Sequence, residues 1–365
     1  MITRIQIRNF KSINNAHVQL SRLNILIGAN GVGKSNFIGC FKLLNKIYNQ
    51  ELRNYVATQG GANNILYYGR KKSPMMAIKT FFDNTNYYDF ALSPDNKNGF
   101  YFAWENNGFN KKYQNPNEKQ DWHTIDAGIG HNESNLSNEE TTGRYKYVKE
   151  YFDSFKIYHF EDTSNEAKVK QSCQITDNRF LREDGGNLAA FLFRLQKQHP
   201  SNFKFIEATI KSIAPFFKGF DLKPLADNKK YIMLEWKDKD DTDTLFDVSS
   251  LSDGTLRMMC LTTLLLQPNP PKTIIIDEPE LGLHPFAINK LAGLLTVAST
   301  KSQIIVSTQS VNLINNFTPE DIIVVDRIEK QSAFKRLTSA EISGWLEDYS
   351  LGEIWDKNII GGRPL

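Results

Sequence analysis

The sequence predicts an α/β fold: a mixed sheet with flanking helices, an antiparallel β subdomain near the amino terminus and an inserted helical lobe. Three observations predict it. An apolar run at 23–27 passes through a glycine-rich turn into 34–48, where Phe37, Phe41, Leu44 and Tyr48 recur at helical spacing. Between 73 and 105, runs of β-forming residues at 76–82, 87–92 and 99–104 are separated by Asn, Asp, Pro and Gly turns, the pattern of an antiparallel meander. The short apolar runs 273–276, 303–307 and 321–325 alternate with helical stretches, as buried strands of an α/β core do.

A chain of 365 residues is long for one average domain and short for three, which favours one large core with an inserted lobe. At the amino terminus Ile2, Ile5 and Ile7 alternate with polar residues, 9–12 interrupts, and 17–20 resumes, which reads as a hairpin. Residues 106–142 are rich in Asn, Gly and Glu with little periodicity, so a long irregular loop is expected there. The pattern turns helical from Arg144, gives a strand at 156–160, and places Phe203, Ile206, Ile210 and Ile213 on one face of a helix over 202–216. No sustained heptads appear, which excludes long coiled-coil arms within this sequence. After 231–236 the α/β pattern returns, so the core sheet is expected to draw on both ends of the chain. The expected division is 1–143, an amino-terminal lobe with the β subdomain; 144–225, the inserted helical lobe; and 226–365, a carboxyl-terminal lobe.

Hydrophobic residues at 40% and charged residues at 23% exclude a disordered or fibrous chain. With 44 basic and 41 acidic residues the net charge of +3 leaves a nucleic-acid partner open. Cys40, Cys173 and Cys260 stand far apart without a Cys/His cluster, which argues against structural zinc and a disulfide framework and fits a reducing, cytoplasmic setting. The first ten residues do not read as a signal peptide, and the longest apolar stretch, around 274–276, is far short of a membrane span, so no membrane association is expected.

Gly28-Ala29-Asn30-Gly31-Val32-Gly33-Lys34-Ser35 matches the G-x-x-x-x-G-K-[ST] phosphate loop and lies between strand and helix as that motif requires. Its glycines let successive backbone N–H groups point at a β-phosphate, Lys34 reaches the β and γ oxygens, and Ser35 is the expected magnesium ligand, with Asn36 following on the helix. The strand at 273–276 runs into Asp277 and Glu278, whose side chains point opposite ways. Asp277 is the expected second magnesium ligand and Glu278 the group that orients or deprotonates the attacking water; alone, such a pair is often only an exposed strand end. Leu251-Ser252-Asp253-Gly254-Thr255 precedes an apolar helix, which makes Ser252 and Gly254 a second anion-facing site or, more plainly, a helix cap.

The phosphate loop, the Leu-Ser-Asp-Gly segment about two dozen residues before Asp277, and the Asp-Glu pair together resemble ABC-type ATPases. Further segments resemble the branch that includes RecF, SMC heads and the ATPase half of overcoming-lysogenization-defect nucleases, a branch of AAA-type ATPases of bacterial defence loci, and the resemblance covers nearly the whole chain. Asn9-Phe10-Lys11-Ser12 resembles the early loop that touches nucleotide base and phosphate, which brings Lys11 and Ser12 into the expected site beside Asn30, Gly31, Val32 and Gly33. Glu280-Leu281-Gly282-Leu283-His284-Pro285 resembles the D-loop; for His284 a contact across a dimer and a local hydrogen bond both stand. Residues 158–164 occupy the place of the Q-loop but hold no glutamine. Gln309 stands where many relatives carry a γ-phosphate-sensing histidine; its amide can donate a hydrogen bond but cannot carry a proton's charge, and a simple strand-end cap is the other reading.

The resemblance implies an ABC-type ATPase head that binds ATP with Mg2+ and dimerises around it, the Ser252–Gly254 signature of one protomer closing over ATP held by the other. Two roles follow from it. One is the sensor ATPase of an antiphage defence system that holds a separately encoded effector, such as a nuclease or toxin; the other is a RecF-like repair ATPase that clamps DNA. The charge runs at 70–72 and 237–243 read as solvated surface. After Gln309 about 56 residues remain, too few for a nuclease domain of ordinary size, so no intrinsic nuclease activity is expected. A homodimer or higher assembly and an effector are the expected partners. The aromatic stretch from Trp345 to Ile360 reads as a docking surface or as self-packing.

Overall fold

The computed structural model describes residues 1–110, 122–137, 145–241 and 243–363. In chain order these residues form β1 (Ile2–Phe10), β2 (Ile13–Gln19), β3 (Leu23–Ile27), α1 (Lys34–Tyr48), α2 (Leu52–Thr58), α3 (Ala62–Ile65), β4 (Met76–Phe82), β5 (Asn86–Pro94), β6 (Phe100–Asn110) and β7 (Trp122–Asp126). Then come α4 (Tyr145–Asp153), β8 (Phe155–Tyr158), β9 (Cys173–Gln174), α5 (Leu188–Gln198), α6 (Pro200–Ile213), β10 (Phe217–Phe220), β11 (Tyr231–Ile232), β12 (Glu235–Asp238) and β13 (Leu245–Asp247). The last stretch holds α7 (Asp253–Leu266), β14 (Thr273–Asp277), α8 (Pro285–Ser299), β15 (Gln303–Thr308), α9 (Val311–Ile314), β16 (Ile322–Ile328), β17 (Gln331–Arg336), α10 (Ser339–Leu346) and α11 (Leu351–Asp356).

Two compact units divide the chain, Met1–Phe155 with Thr318–Leu365, and Lys156–Phe317. In the first unit β1 and β2 pair as the expected hairpin, with Ile5 opposite Val18. The antiparallel sheet continues from β1 to β4, β5, β6 and β7. All five residues of β3 are buried, as befits a strand covered on both faces. β3 pairs in parallel with β16, Ile25 against Ile322 and Ile27 against Val324, while β17 runs antiparallel on β16. This unit therefore takes its strands from both ends of the chain. The apolar stripe of α1 is buried, and Phe37 packs against Phe41 and against Phe334 of β17, with ring centroids 5.3 and 5.1 Å apart. Near the carboxyl end Leu351, Ile354 and Trp355 are buried, whereas Trp345 and Leu346 are exposed.

The irregular loop expected over 106–142 needs correction. Residues 106–110 continue β6, and β7 pairs antiparallel with it, Asn106 opposite Asp126 and Asn110 opposite Trp122. The short, mostly polar β7 is held by packing that its own sequence does not announce: the Trp122 ring lies 5.7 Å from Phe81 and 5.1 Å from Tyr87. Residues 111–121 and 138–142 of that expectation lie outside the described residues. Beside this sheet the fully buried Glu105 carboxylate accepts hydrogen bonds from Tyr88 Oη (2.6 Å), Ser134 Oγ and the Asn135 N–H (2.9 Å), and pairs with His131 Nε2 (2.8 Å).

In the second unit β14 and β15 pair in parallel from Thr273 opposite Gln303 to Asp277 opposite Ser307. Helix α7 buries every residue from Leu256 to Leu266, so it is a core helix, not a half-exposed one. Two short strands follow α6 and β10: β11 pairs with β9, and β12 pairs with β10 and β13. Residues 200–213 form the expected helix, with Phe203, Ile206 and Ile210 buried. Among the described residues no helix is long and apolar enough to cross a membrane.

Candidate nucleotide site

In the first unit, the strand–loop–helix order at 23–48 presents residues 28–36, and the β1–β2 turn brings Ser12 to Asn36. Lys34, buried at the first turn of α1, points its ammonium back into the loop, with Nζ 2.7 Å from Gly28 O and 3.1 Å from Ala29 O. Ser35, on the same turn, is exposed, as are Asn30 and Gly31. Asn36 Nδ2 donates to Ser12 Oγ at 2.7 Å, which ties the early loop to the start of α1. Gly33 adopts φ +116°, and a Cβ there would lie 2.1 Å from Ser332 Oγ and 2.8 Å from Ser12 Oγ. Only glycine fits both the backbone and the space.

Residues that sequence reasoning missed complete this loop. Ser332 Oγ, on β17, donates to Val32 O at 2.6 Å and lies 2.7 Å from Ser12 Oγ. The Ala29 N–H donates to Gly362 O at 2.6 Å, and the Gly362 N–H donates to Asp326 at 3.3 Å. Nothing in the spacing marks partners some three hundred residues away. Lys11 sits in the left-handed region at φ +48°, its Nζ donating to Gln59 at 3.2 Å, and burial lowers its affinity for the proton.

In the second unit, β14 delivers Asp277 and Glu278 to one strand end. Asp277 accepts a hydrogen bond from Ser307 Oγ, directly opposite it on β15. Glu278 stands at φ +44°, its N–H bonded to Ser307 O at 3.0 Å, and its carboxylate accepts from Gln309 Nε2. The structure thus unites Glu278 with Gln309 directly. Glu280 accepts from Thr308 Oγ1 and, at 3.2 Å, from the Gln309 N–H; burial raises its carboxyl above the usual range.

Ser252 caps α7, its Oγ accepting from the Thr255 N–H at 3.3 Å, so the helix-cap reading holds locally. A Cβ on Gly254 would lie 2.6 Å from Gly282 O, so the signature and the D-loop touch backbone to backbone. Arg257, buried on the next turn, donates to Phe160 O and Glu161 O at 3.0 Å each and to Leu281 O, fastening two loops to α7. It was missed because an arginine in an apolar helix reads as a surface residue. Asp162, in the glutamine-less Q-loop segment, accepts from Ser164 Oγ at 2.7 Å. His284 caps α8, its Nδ1 accepting from the Phe286 N–H at 3.3 Å, which gives the local hydrogen bond.

The donor chemistry suits Mg2+. Ser35 and Asp277 offer a hydroxyl and a carboxylate, and among the described residues no cluster of three or more His, Cys, Asp or Glu forms an all-protein cage. Mg2+ is commonly held by one or two protein oxygens together with phosphates and water.

Comparison with solved structures places the fold. An SMC head bound to the C-terminal winged-helix domain of ScpA matches with a TM-score of 0.62 and 14% identity, covering 94% of this chain and 99% of that one. An SMC head with an extended coiled coil, bound to a ScpA domain from Pyrococcus furiosus, matches with a TM-score of 0.54 and 13% identity over 95% and 98% of the two chains. Among curated proteins, ABC transporter A family member 11 of Dictyostelium discoideum is 33% identical over 78 residues, which is 21% of this chain and only 9% of the transporter. The profile of the family described as "AAA domain, putative AbiEii toxin, Type IV TA system" matches residues 23–315, a span that holds the phosphate loop, the signature segment, the Asp-Glu pair and Gln309. The chain therefore belongs to this AAA-domain family and has the fold of an SMC head.

Proposed function

We propose that the chain binds ATP with Mg2+, closes as a homodimer around two nucleotides, hydrolyses them, and thereby controls a separately encoded effector in an antiphage defence system. The observation that carries the nucleotide reading is the Lys34 ammonium folded into the 28–35 loop against two carbonyls, where incoming phosphate oxygens replace those acceptors. The loop N–H groups and the amino end of α1 bind the β-phosphate, with Lys11, Ser12 and Asn36 lining the entry. Ser35 and Asp277 would hold Mg2+, which would supply charge neutralisation for the phosphates. Glu278 takes a proton from the attacking water as the new P–O bond forms and the bond to the β,γ-bridging oxygen breaks, leaving ADP and phosphate. Gln309, bonded to Glu278, reports the γ-phosphate to that base.

Ser252 and Gly254 act in trans on the partner's nucleotide in this reading, in which the chain divides into lobes at 1–143, 144–225 and 226–365. Support for a defence role is the toxin–antitoxin description of the family, and support for a docking partner is the ScpA domain seen on the related-fold SMC heads. The test is light scattering of Glu278→Gln with ATP and Mg2+, together with calorimetric titration of ATP. A dimer that Ser252→Arg abolishes supports the sandwich, and a monomer at micromolar protein with saturated nucleotide sinks it. Salt-dependent binding of duplex DNA by that trapped dimer, steep in log salt, would move the role to a DNA clamp.

A further inference from the structure

The parallel pairing of β14 and β15 ends at Asp277 opposite Ser307, and the Glu278 N–H makes the last bond across it, to Ser307 O. Gln309 lies beyond that last rung. Its backbone N–H goes instead to a side chain, Glu280 Oε1, at 3.2 Å. The same oxygen accepts the Thr308 hydroxyl proton, and Thr308 Oγ1 in turn accepts from the Ser310 N–H at 3.0 Å, just before α9. Glu280 thus fixes the chain on both sides of Gln309, directly at its N–H and through Thr308 at the following residue. The side chain so placed donates from Nε2 to Glu278, the carboxylate assigned to water activation.

We propose that Glu280 is the positioning residue of this site, setting the Gln309 amide against Glu278 without itself touching the nucleotide. The inference rests on the proposed hydrolytic reading and adds the residue that orients its base. Two features separate Glu280 from an ordinary strand-end acceptor. Its second oxygen, Oε2, is buried and reaches no hydrogen-bond donor among the described residues, an arrangement that costs stability and so is poorly explained by stability alone. Its grip depends on reach, because Oε1 must extend from the loop after β14 to the backbone of residue 309 on β15's far end. A glutamine keeps that reach and an acceptor oxygen; an aspartate keeps the charge and loses the reach.

The experiment measures kcat and KM for ATP in Glu280→Ala, Glu280→Asp and Glu280→Gln, alone and combined with Gln309→Ala. Glu280→Ala and Glu280→Asp should each lower kcat about tenfold with KM within about twofold of wild type, and Glu280→Gln should recover turnover to within about threefold. In the Gln309→Ala background neither Glu280→Ala nor Glu280→Asp should add a further loss, since the effect passes through that amide. Glu280→Asp serves where the alanine variant fails to fold. Wild-type kcat in a folded Glu280→Asp, losses that multiply with Gln309→Ala, or a rise in KM in place of the fall in kcat each overturn the role. A wild-type protein that binds ATP without turning it over overturns the hydrolytic reading and this role with it, whereas wild-type turnover indifferent to Glu280 overturns the role alone.

Discussion

The phosphate loop of the first unit and the carboxylate edge of the second are built on opposite plans. The loop is a contiguous motif whose working groups are mostly backbone, and its shape is held by distant residues: Ser332 against Gly33 and Val32, Gly362 against Ala29. The edge is assembled from side chains on two adjacent parallel strands, where Ser307 meets Asp277, Gln309 meets Glu278, and Thr308 meets Glu280. Backbone groups suit the invariant task of holding phosphate, because their direction is set by the fold. Side chains suit the step that differs between ground state and transition state, because one substitution there alters proton transfer without disturbing the scaffold.

This contrast predicts that damage to the edge appears in kcat and damage to the loop in affinity or folding. The largest effect belongs to Glu278→Gln, which keeps ATP binding and lowers turnover by about 10²–10⁴-fold, the usual worth of a general base; steady-state kinetics beside calorimetry checks it. A parallel loss of affinity would erase the distinction between the two regions. Lys34→Ala should weaken ATP binding by about 100-fold, on ~3 kcal/mol for charge-assisted hydrogen bonds, while the apo protein melts near the wild-type temperature. Unchanged affinity in that folded variant removes the loop from the site.

Gly33→Ala sharpens the comparison from the folding side. The new methyl meets Ser332 Oγ and Ser12 Oγ at a backbone angle that disfavours side chains, so the variant should lose about 1–3 kcal/mol by chemical denaturation. Adding Ser332→Gly should return part of it. No recovery in the double variant would show that backbone strain, not the contact with β17, sets the cost. Gln309→His should have the smallest effect, a change in kcat of about two- to fivefold at constant KM, since an imidazole can replace the amide donor. Identical kcat for Gln309→His and Gln309→Ala would place Gln309 outside the reacting shell.

The two plans also govern what the sequence made legible. The glycine loop, the helix behind it and the Asp-Glu strand end were readable because each is local, a spacing followed by a period. The hairpin at 2–19 and the meander after 73 were readable for the same reason. What escaped was long-range. Trp122 makes a strand of β7 by packing on Phe81 and Tyr87, while the sequence around it reads as loop. Tyr231 and Trp236 stand in different strands because each finds a different partner, β9 and β10. Ser332, Gly362 and Arg257 carry no signal at all until the fold brings them to Val32, Ala29 and Leu281. Glu280 was visible as part of a loop motif, but its bond to residue 309 depends on the parallel register.

The pairing of β3 with β16 bears on how the chain matures during synthesis. Residues 23–48 leave the ribosome early, yet β3 waits for 322–324, Val32 for Ser332, and Ala29 for Gly362. Until those late residues emerge, the glycine-rich loop is an unbraced segment whose nearest strand partner has not been made, and long-range parallel pairing is slow to form even then. In the proposed reading the loop is braced for nucleotide only once residues 322–362 have been made. A nascent chain halted short of β16 carries the full phosphate-loop motif and cannot yet hold it in shape.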